Sequence, residues 1–339
     1  MRRCLLHIGT YKTGTTALQV FMTQNREAFR RAGICVPTGG TQPGNAAGHH
    51  GVALGLRGTD PQAALGPFID ELKRAAEPAF LISSEQFSSL ALEPERLRLF
   101  ADGLRSAELD VTVLVYLRSQ AAWAESIYGE RARHSMYSTM PVSTYVENII
   151  EHRGHLATPP SGLLPFDYSE MLGPFADTFG KSSIIARAYP VGTEPMALYN
   201  DFLSAVAKMY PPATASGTQL VIQSERIHDG LSFADLLRLT YERTHPSVHG
   251  DPLPELLLRY RNESPDFWSK RFRLLSREES LAITRAFADN NKHLEAEFGL
   301  HLPSDERDLP APADARWETA RKQRAIYEEC LKAWLAPVP

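Results

Sequence analysis

Residues 7–19 read HIGTYKTGTTALQ, and within the ten positions from His7 to Thr16 stand two glycines, one lysine and four threonines. The run CLLHI at 4–8 has the composition of a short buried strand. Beyond the loop, Leu18, Phe21, Met22 and Phe29 recur at helical spacing and predict a helix over 16–31. Strand, glycine-rich loop and helix in that order suit an anion site, the alternative being a Gly/Thr turn with helix-capping threonines. Backbone N–H groups converge at the loop, and the helix dipole adds roughly half a positive charge there.

Working outward, the same alternation continues. GICVP (33–37), AFLISSE (79–85), VTVLVYLR (111–118) and SSIIARAY (182–189) read as strands, and helical patterns cover 61–75, 93–107, 121–138 and 168–179. Between them TGGTQPGNAAGHHG (38–51) reads as a loop. Strands alternating with helices predict an α/β fold of three layers, a mostly parallel sheet covered on both faces, with ligand sites beyond the carboxyl ends of the strands. After Leu203 the strand-like runs stop and helices are expected over 233–243, 253–261, 277–298 and 315–335, joined by Pro/Ala-rich stretches at 211–219 and 309–315. This predicts one domain, with an α/β nucleotide-binding core over 1–210 and a mostly helical extension over 211–339.

Composition narrows the function classes. The 339 residues are 43% hydrophobic, ample for a buried core, and 40 acidic against 36 basic residues give a net charge of −4. No general basic surface points to nucleic acid, so an anion site must be local. Cys4, Cys35 and Cys330 are too scattered for a disulfide framework or a metal site, and Cys4 and Cys35 read as small buried hydrophobes. The apolar stretch after MRRC is too short for a signal peptide and no run approaches the ~18 residues of a membrane span, so a cytoplasmic protein is expected.

The position of the lysine decides which phosphate the loop suits. In the common triphosphate loop, lysine follows the last glycine; here that slot is Thr15, and Lys12 comes before Gly14. Nor does an apolar strand end in an aspartate placed to hold magnesium, since the strands end in Glu85 and Arg118. A nucleotide kinase or nucleotidase is disfavoured but open, as is a non-catalytic nucleotide-binding protein.

The order Lys12, Thr13, Gly14, Thr15, Thr16 after a short strand resembles the 5′-phosphosulfate loop of sulfotransferases that use 3′-phosphoadenosine 5′-phosphosulfate. In that family a strand-ending arginine and a serine about eight residues later, in the next helix, hold the 3′-phosphate. VLVYLRSQAAWAESIYGE offers Arg118 and Ser126 at that spacing, and a charge-assisted arginine bond to phosphate contributes ~1.5–3 kcal/mol. FDYSEMLGPFADTFGKSSIIARAY also looks like the helix and strand that follow in bacterial members, so the resemblance covers roughly the first 200 residues. Hormone-type members carry a tryptophan after the paired threonines. This chain has Ala17, and GTTAL is closer to the glycan-acting branch.

The resemblance implies transfer of a sulfuryl group to a hydroxyl or amine, on a carbohydrate for that branch, leaving adenosine 3′,5′-bisphosphate and requiring no metal. Lys12 would follow the charge on the leaving oxygen, with Thr13, Gly14, Thr15 and Thr16 as donors around it. Glu85 is the candidate base, with a structural ion pair to Lys12 or Arg118 as its alternative role. His49 and His50 compete as bases; such a pair in a glycine-rich loop is by default solvated or capping, and only one of two neighbours faces a given site, His50 being preferred. His7, inside the first strand, reads as a packed core residue. Trp123 and Tyr128 have packing spacing, and the basic clusters at 130–137, 270–279 and 320–324 read by default as solvated helix faces. Acceptor-binding loops are expected at 38–60 and 130–165 and in the helical third; neither the acceptor nor the oligomeric state is legible.

Overall fold

The apolar runs become strands whose side chains are buried on both sides. In the computed structural model, which describes residues 1–42, 47–134, 140–152, 156–158, 162–164, 166–190, 196–212, 231–247, 250–303 and 306–336, these are β1 (Arg2–His7), β2 (Ile34–Cys35), β3 (Ala79–Ser83) and β4 (Leu109–Leu117). A short antiparallel hairpin follows, β5 (Leu156–Thr158) with β6 (Gly162–Leu164), and then β7 (Ile184–Ala188). β1, β2, β3, β4 and β7 form one parallel sheet ordered β2-β3-β1-β4-β7. The fold is α/β, with helices on both faces of this sheet, as expected.

The chain divides into two compact units. The sheet unit comprises Met1–Arg118, Asp167–His228 and His293–Leu302; the helical unit comprises Ser119–Phe166, Asp229–Lys292 and Pro303–Pro339. The helical additions therefore draw on an internal segment as well as on the C-terminal third.

In the sheet unit α1 (Thr15–Gln24) and α2 (Arg26–Arg31) stand where one helix over 16–31 is expected. The break is at Asn25, whose backbone leaves the helical region (φ −99°, ψ 14°) and whose side-chain amide donates to the Phe21 carbonyl at 2.8 Å. Asparagine offers the backbone such alternatives to a helical ladder. The short α3 (His50–Leu56) precedes α4 (Pro61–Arg74), which opens on Asp60, its carboxylate accepting from Ala63 N–H at 3.0 Å. In chain order α5 (Pro94–Ser106), α6 (Gln120–His134), α7 (Val142–Glu151), α8 (Tyr168–Phe179) and α9 (Ala197–Met209) follow, α6 and α7 belonging to the helical unit. α9 is a helix the sequence reading leaves unassigned, although Leu198, Phe202, Ala205, Val206 and Met209 repeat at helical spacing. These residues bury against Leu5, Leu81, Leu114, Phe21 and Tyr116, forming the core between α1, α2, α9 and one sheet face. Alternate residues Cys4, Leu6, Phe80, Ile82, Val113 and Val115 are buried on the other face, where α5 and α8 pack on β4.

The helical unit contains α6 and α7, then α10 (Phe233–Thr244), α11 (Leu253–Arg259), α12 (Pro265–Ser269), α13 (Arg277–Ala286), the first residues of α14 (Ala288–Phe298), and α15 (Ala315–Trp334). The helix expected over 277–298 breaks at Phe287 (φ −109°, ψ 10°), which is fully buried and meets the ring of Phe166. Trp123 and Tyr128 are core residues: Trp123 packs on Phe166, and the Tyr128 hydroxyl lies 3.0 Å from that of Tyr327. Among the described residues no helix is long and apolar enough to cross a membrane.

Candidate functional site

β1 is pinned on both sides where it ends. His7 O accepts from Ser84 N–H at 3.1 Å, and Ile8 N–H donates to Leu114 O at 3.0 Å. The chain then turns sharply, with positive φ at Gly9 (46°), Lys12 (64°) and Gly14 (76°). Two threonines staple the turn: Thr13 Oγ1 donates to Thr10 O at 2.6 Å, and Thr10 Oγ1 donates to Tyr116 O on β4 at 3.0 Å. Both are buried. Gly9 is required by space as well as by φ, since a Cβ there would stand 2.4 Å from Thr15 Cγ2 and 3.4 Å from Glu85 Cα. Gly14 is the N-terminal boundary of α1 with no side-chain cap, so the first-turn amides of α1 and its dipole face the loop. Thr15 and Thr16 lie in that first turn. Lys12 occupies a left-handed conformation that costs an ordinary residue roughly 1–2 kcal/mol.

The two strands beside β1 deliver the other predicted groups. Glu85 follows β3 and opens a 3-10 turn (Glu85–Leu92) capped by Ser84 Oγ on Gln86 N–H at 3.1 Å. Its Oε2 accepts from Gln19 Nε2 at 2.8 Å and lies 3.8 Å from His50 Nδ1. Among the described residues Glu85 pairs with neither Lys12 nor Arg118. Arg118 follows β4; its carbonyl accepts from the Tyr168 hydroxyl at 2.9 Å, and its guanidinium lies 4.2 Å above the Tyr189 ring. Burial lowers the Arg118 pKa from its ordinary value, with Tyr189 opposing. A guanidinium withdrawn from water gains strongly from a bidentate anion.

The histidine pair divides. Both rings are buried, against the default of a solvated loop pair, because α3 carries them in beside β3. His49 is structural: it sits against Ser83 through both Ser83 N–H and O, and reaches Pro37 O with Nε2. Burial pulls its pKa down to about 4. His50 faces Ser84 Oγ at 2.9 Å and Glu85. His7 is a core residue as expected, with Nδ1 on Ser83 Oγ at 2.8 Å and its pKa lowered by burial to about 3.

Tyr189 and Gln19 are the residues that sequence reasoning missed in this unit. Tyr189 ends the strand run SSIIARAY at the same carboxyl edge as Glu85 and Arg118. It reaches both motifs, for a Cβ on Gly14 would stand 3.1 Å from its Cε2. The rule that found the other two strand ends would have found it. Gln19 carries no such signal.

Ser126 lies in the helical unit, on α6. Its hydroxyl donates to Ala122 O at 2.9 Å and accepts from Arg271 Nη2 at 2.6 Å. Arg271 belongs to the basic cluster expected to form a helix face; residues 271–276 instead run as a non-helical segment before α13. The neighbouring Glu125 holds that segment, accepting from Leu274 N–H at 2.7 Å and Leu275 N–H at 3.3 Å and pairing with Arg273. Of the expected acceptor loops, residues 43–46, 135–139, 153–155, 159–161 and 165 lie outside the described residues. No protein-family model matches the chain, and no curated protein matches it.

Proposed function

We propose that this protein is a sulfotransferase that moves the sulfuryl group of 3′-phosphoadenosine 5′-phosphosulfate to a hydroxyl or amine of an acceptor, of the carbohydrate class on the motif resemblance. One observation carries the reading. The strand order β3-β1-β4 brings three chemistries to a single carboxyl edge, with a carboxylate, Glu85, on one side of the phosphate loop and a partly desolvated guanidinium, Arg118, on the other.

In this reading the loop amides, Thr15, Thr16 and the α1 dipole hold the 5′ end of the donor, and Lys12 follows the negative charge that grows on the departing phosphate oxygen. Arg118 takes the 3′-phosphate in its fork, steadied by the Tyr189 ring, and Ser126 keeps the assignment that the motif spacing gives it. Glu85 accepts the proton of the acceptor hydroxyl. Tyr189 stands beside both phosphate positions, its edge 3.1 Å from where a Cβ on Gly14 would be and its face under Arg118.

Isothermal titration calorimetry with adenosine 3′,5′-bisphosphate tests this. Binding is expected, with AMP weaker by about 10-fold or more for want of the 3′-phosphate contacts. Equal affinity for the two nucleotides, or no affinity for either, rejects the reading, and tight magnesium-dependent binding of ATP would favour a kinase in its place.

A further inference from the structure

Glu85 is held by more than the strand that precedes it. Gln19, 2% exposed, places its Nε2 2.8 Å from Glu85 Oε2. His50 backs the same oxygen at 3.8 Å and is itself fixed on Ser84 Oγ. Gly48 closes the enclosure, since a Cβ there would stand 2.7 Å from His50 Nε2, 2.9 Å from Gln19 Cδ and 3.0 Å from Gln19 Oε1. Oε2 thus has an amide donor at hydrogen-bond distance and an imidazole beside it, while among the described residues no such contact engages the other carboxylate oxygen. A carboxylate can accept at both oxygens, so an N–H fixed on one of them sets the plane and direction of the other.

We infer that Gln19 is a positioning residue for the transfer: its amide holds Glu85 Oε2 so that Oε1 is the oxygen presented to the acceptor, and it fastens that carboxylate to the helix whose N-terminus forms the phosphate loop. The inference rests on the sulfotransferase reading. In the step it serves, the acceptor O–H bond breaks and its proton passes to Oε1. The acceptor oxygen bonds to sulfur, and the bond from sulfur to the bridging oxygen breaks, its electron pair leaving on the 5′-phosphate. Gln19 touches none of the reacting atoms. Its contribution is angular, and misplacement of a reacting group by an ångström is enough to cost a large factor in rate.

The experiment compares wild type with Gln19→Met, which keeps length and removes the N–H, by calorimetry with adenosine 3′,5′-bisphosphate and by turnover of labelled donor on an acceptor found by screening. Bisphosphate affinity is expected to stay within about two-fold while kcat falls by about 10-fold or more, the pattern of an interaction that matters in the transition state. Wild-type turnover in Gln19→Met overturns the positioning role alone, as does a loss of bisphosphate affinity equal to the loss of kcat. Failure of the wild-type protein to bind bisphosphate overturns the transfer reading and this inference together. A second measurement needs no activity and no folded Met variant. In protein labelled with ¹⁵N at glutamine side chains, one amide resonance pair is expected to shift on Glu85→Ala, and no shift of any glutamine amide overturns the contact.

Discussion

In the sheet unit, polar groups meet because parallel strands end side by side; in the helical unit, Ser126 meets Arg271 because packing unites residues 145 positions apart. The first arrangement is a consequence of topology. Once β1, β3 and β4 are neighbours, whatever follows each strand arrives at one edge, and the loop at 9–14, Glu85 and Arg118 do so. The second depends on a non-helical segment that a buried carboxylate holds in place. The strand-end arrangement should therefore tolerate side-chain change while failing to a change of backbone, and the packed arrangement should do the reverse.

The largest expected effect breaks the first arrangement at its backbone. Gly14 has φ 76°, and a Cβ there would stand 2.5 Å from Leu198 Cδ2. Gly14→Val combines the left-handed penalty with overpacking against α9, and a loss of about 3 kcal/mol is expected. Bisphosphate binding should vanish with it. Hydrogen exchange of β1 and β4 amides against urea measures the stability change; unchanged exchange would mean that the loop is not held as described.

A smaller effect is expected where the second arrangement is broken. Glu125→Leu removes the acceptor of Leu274 and Leu275 N–H in a buried place and should lower the stability of the helical unit by about 2 kcal/mol. All four tryptophans (Trp123, Trp268, Trp317 and Trp334) belong to that unit, so their fluorescence reports its unfolding. The urea midpoint by fluorescence should fall while exchange in β1 and β4 holds. A common shift in both probes would show that the units unfold as one.

What was legible in the sequence follows the same division. The strand, loop and helix at 7–19 and the groups at strand ends needed only local pattern, because a parallel sheet turns order along the chain into adjacency in space. Helix interruptions at Asn25 and Phe287 were not legible: the periodicity continues through both, and a side-chain amide in one case and a buried ring in the other decide the break. Gln19 carries no signal of its own in the sequence. Gly48, far along the chain, packs close to it, and nothing in its own neighbourhood of the chain says so. Arg271 was legible as a charge but not as a partner. The histidine pair misled through its surroundings, since glycine and polar residues predict solvent where α3 in fact packs the rings beside β3.

A change of pH sharpens the comparison without any substitution. His7 and His49 are buried in the sheet unit with pKa values lowered by burial to about 3 and about 4 from an ordinary 6.5. Below 6.5 the unfolded chain takes up protons that the native rings refuse. Their contribution to stability is whole above that pH and is lost as pH falls toward the native values, by about 1.4 kcal/mol per pH unit for each ring. Acidification from pH 6.5 toward 4 should therefore loosen β1 and β3, seen as lower amide protection factors there once the intrinsic slowing of exchange in acid is divided out, before tryptophan fluorescence reports any change in the helical unit. His49→Asn should flatten the dependence by one proton. Coincident transitions by exchange and fluorescence, or a slope that His49→Asn leaves untouched, would remove these histidines as the cause.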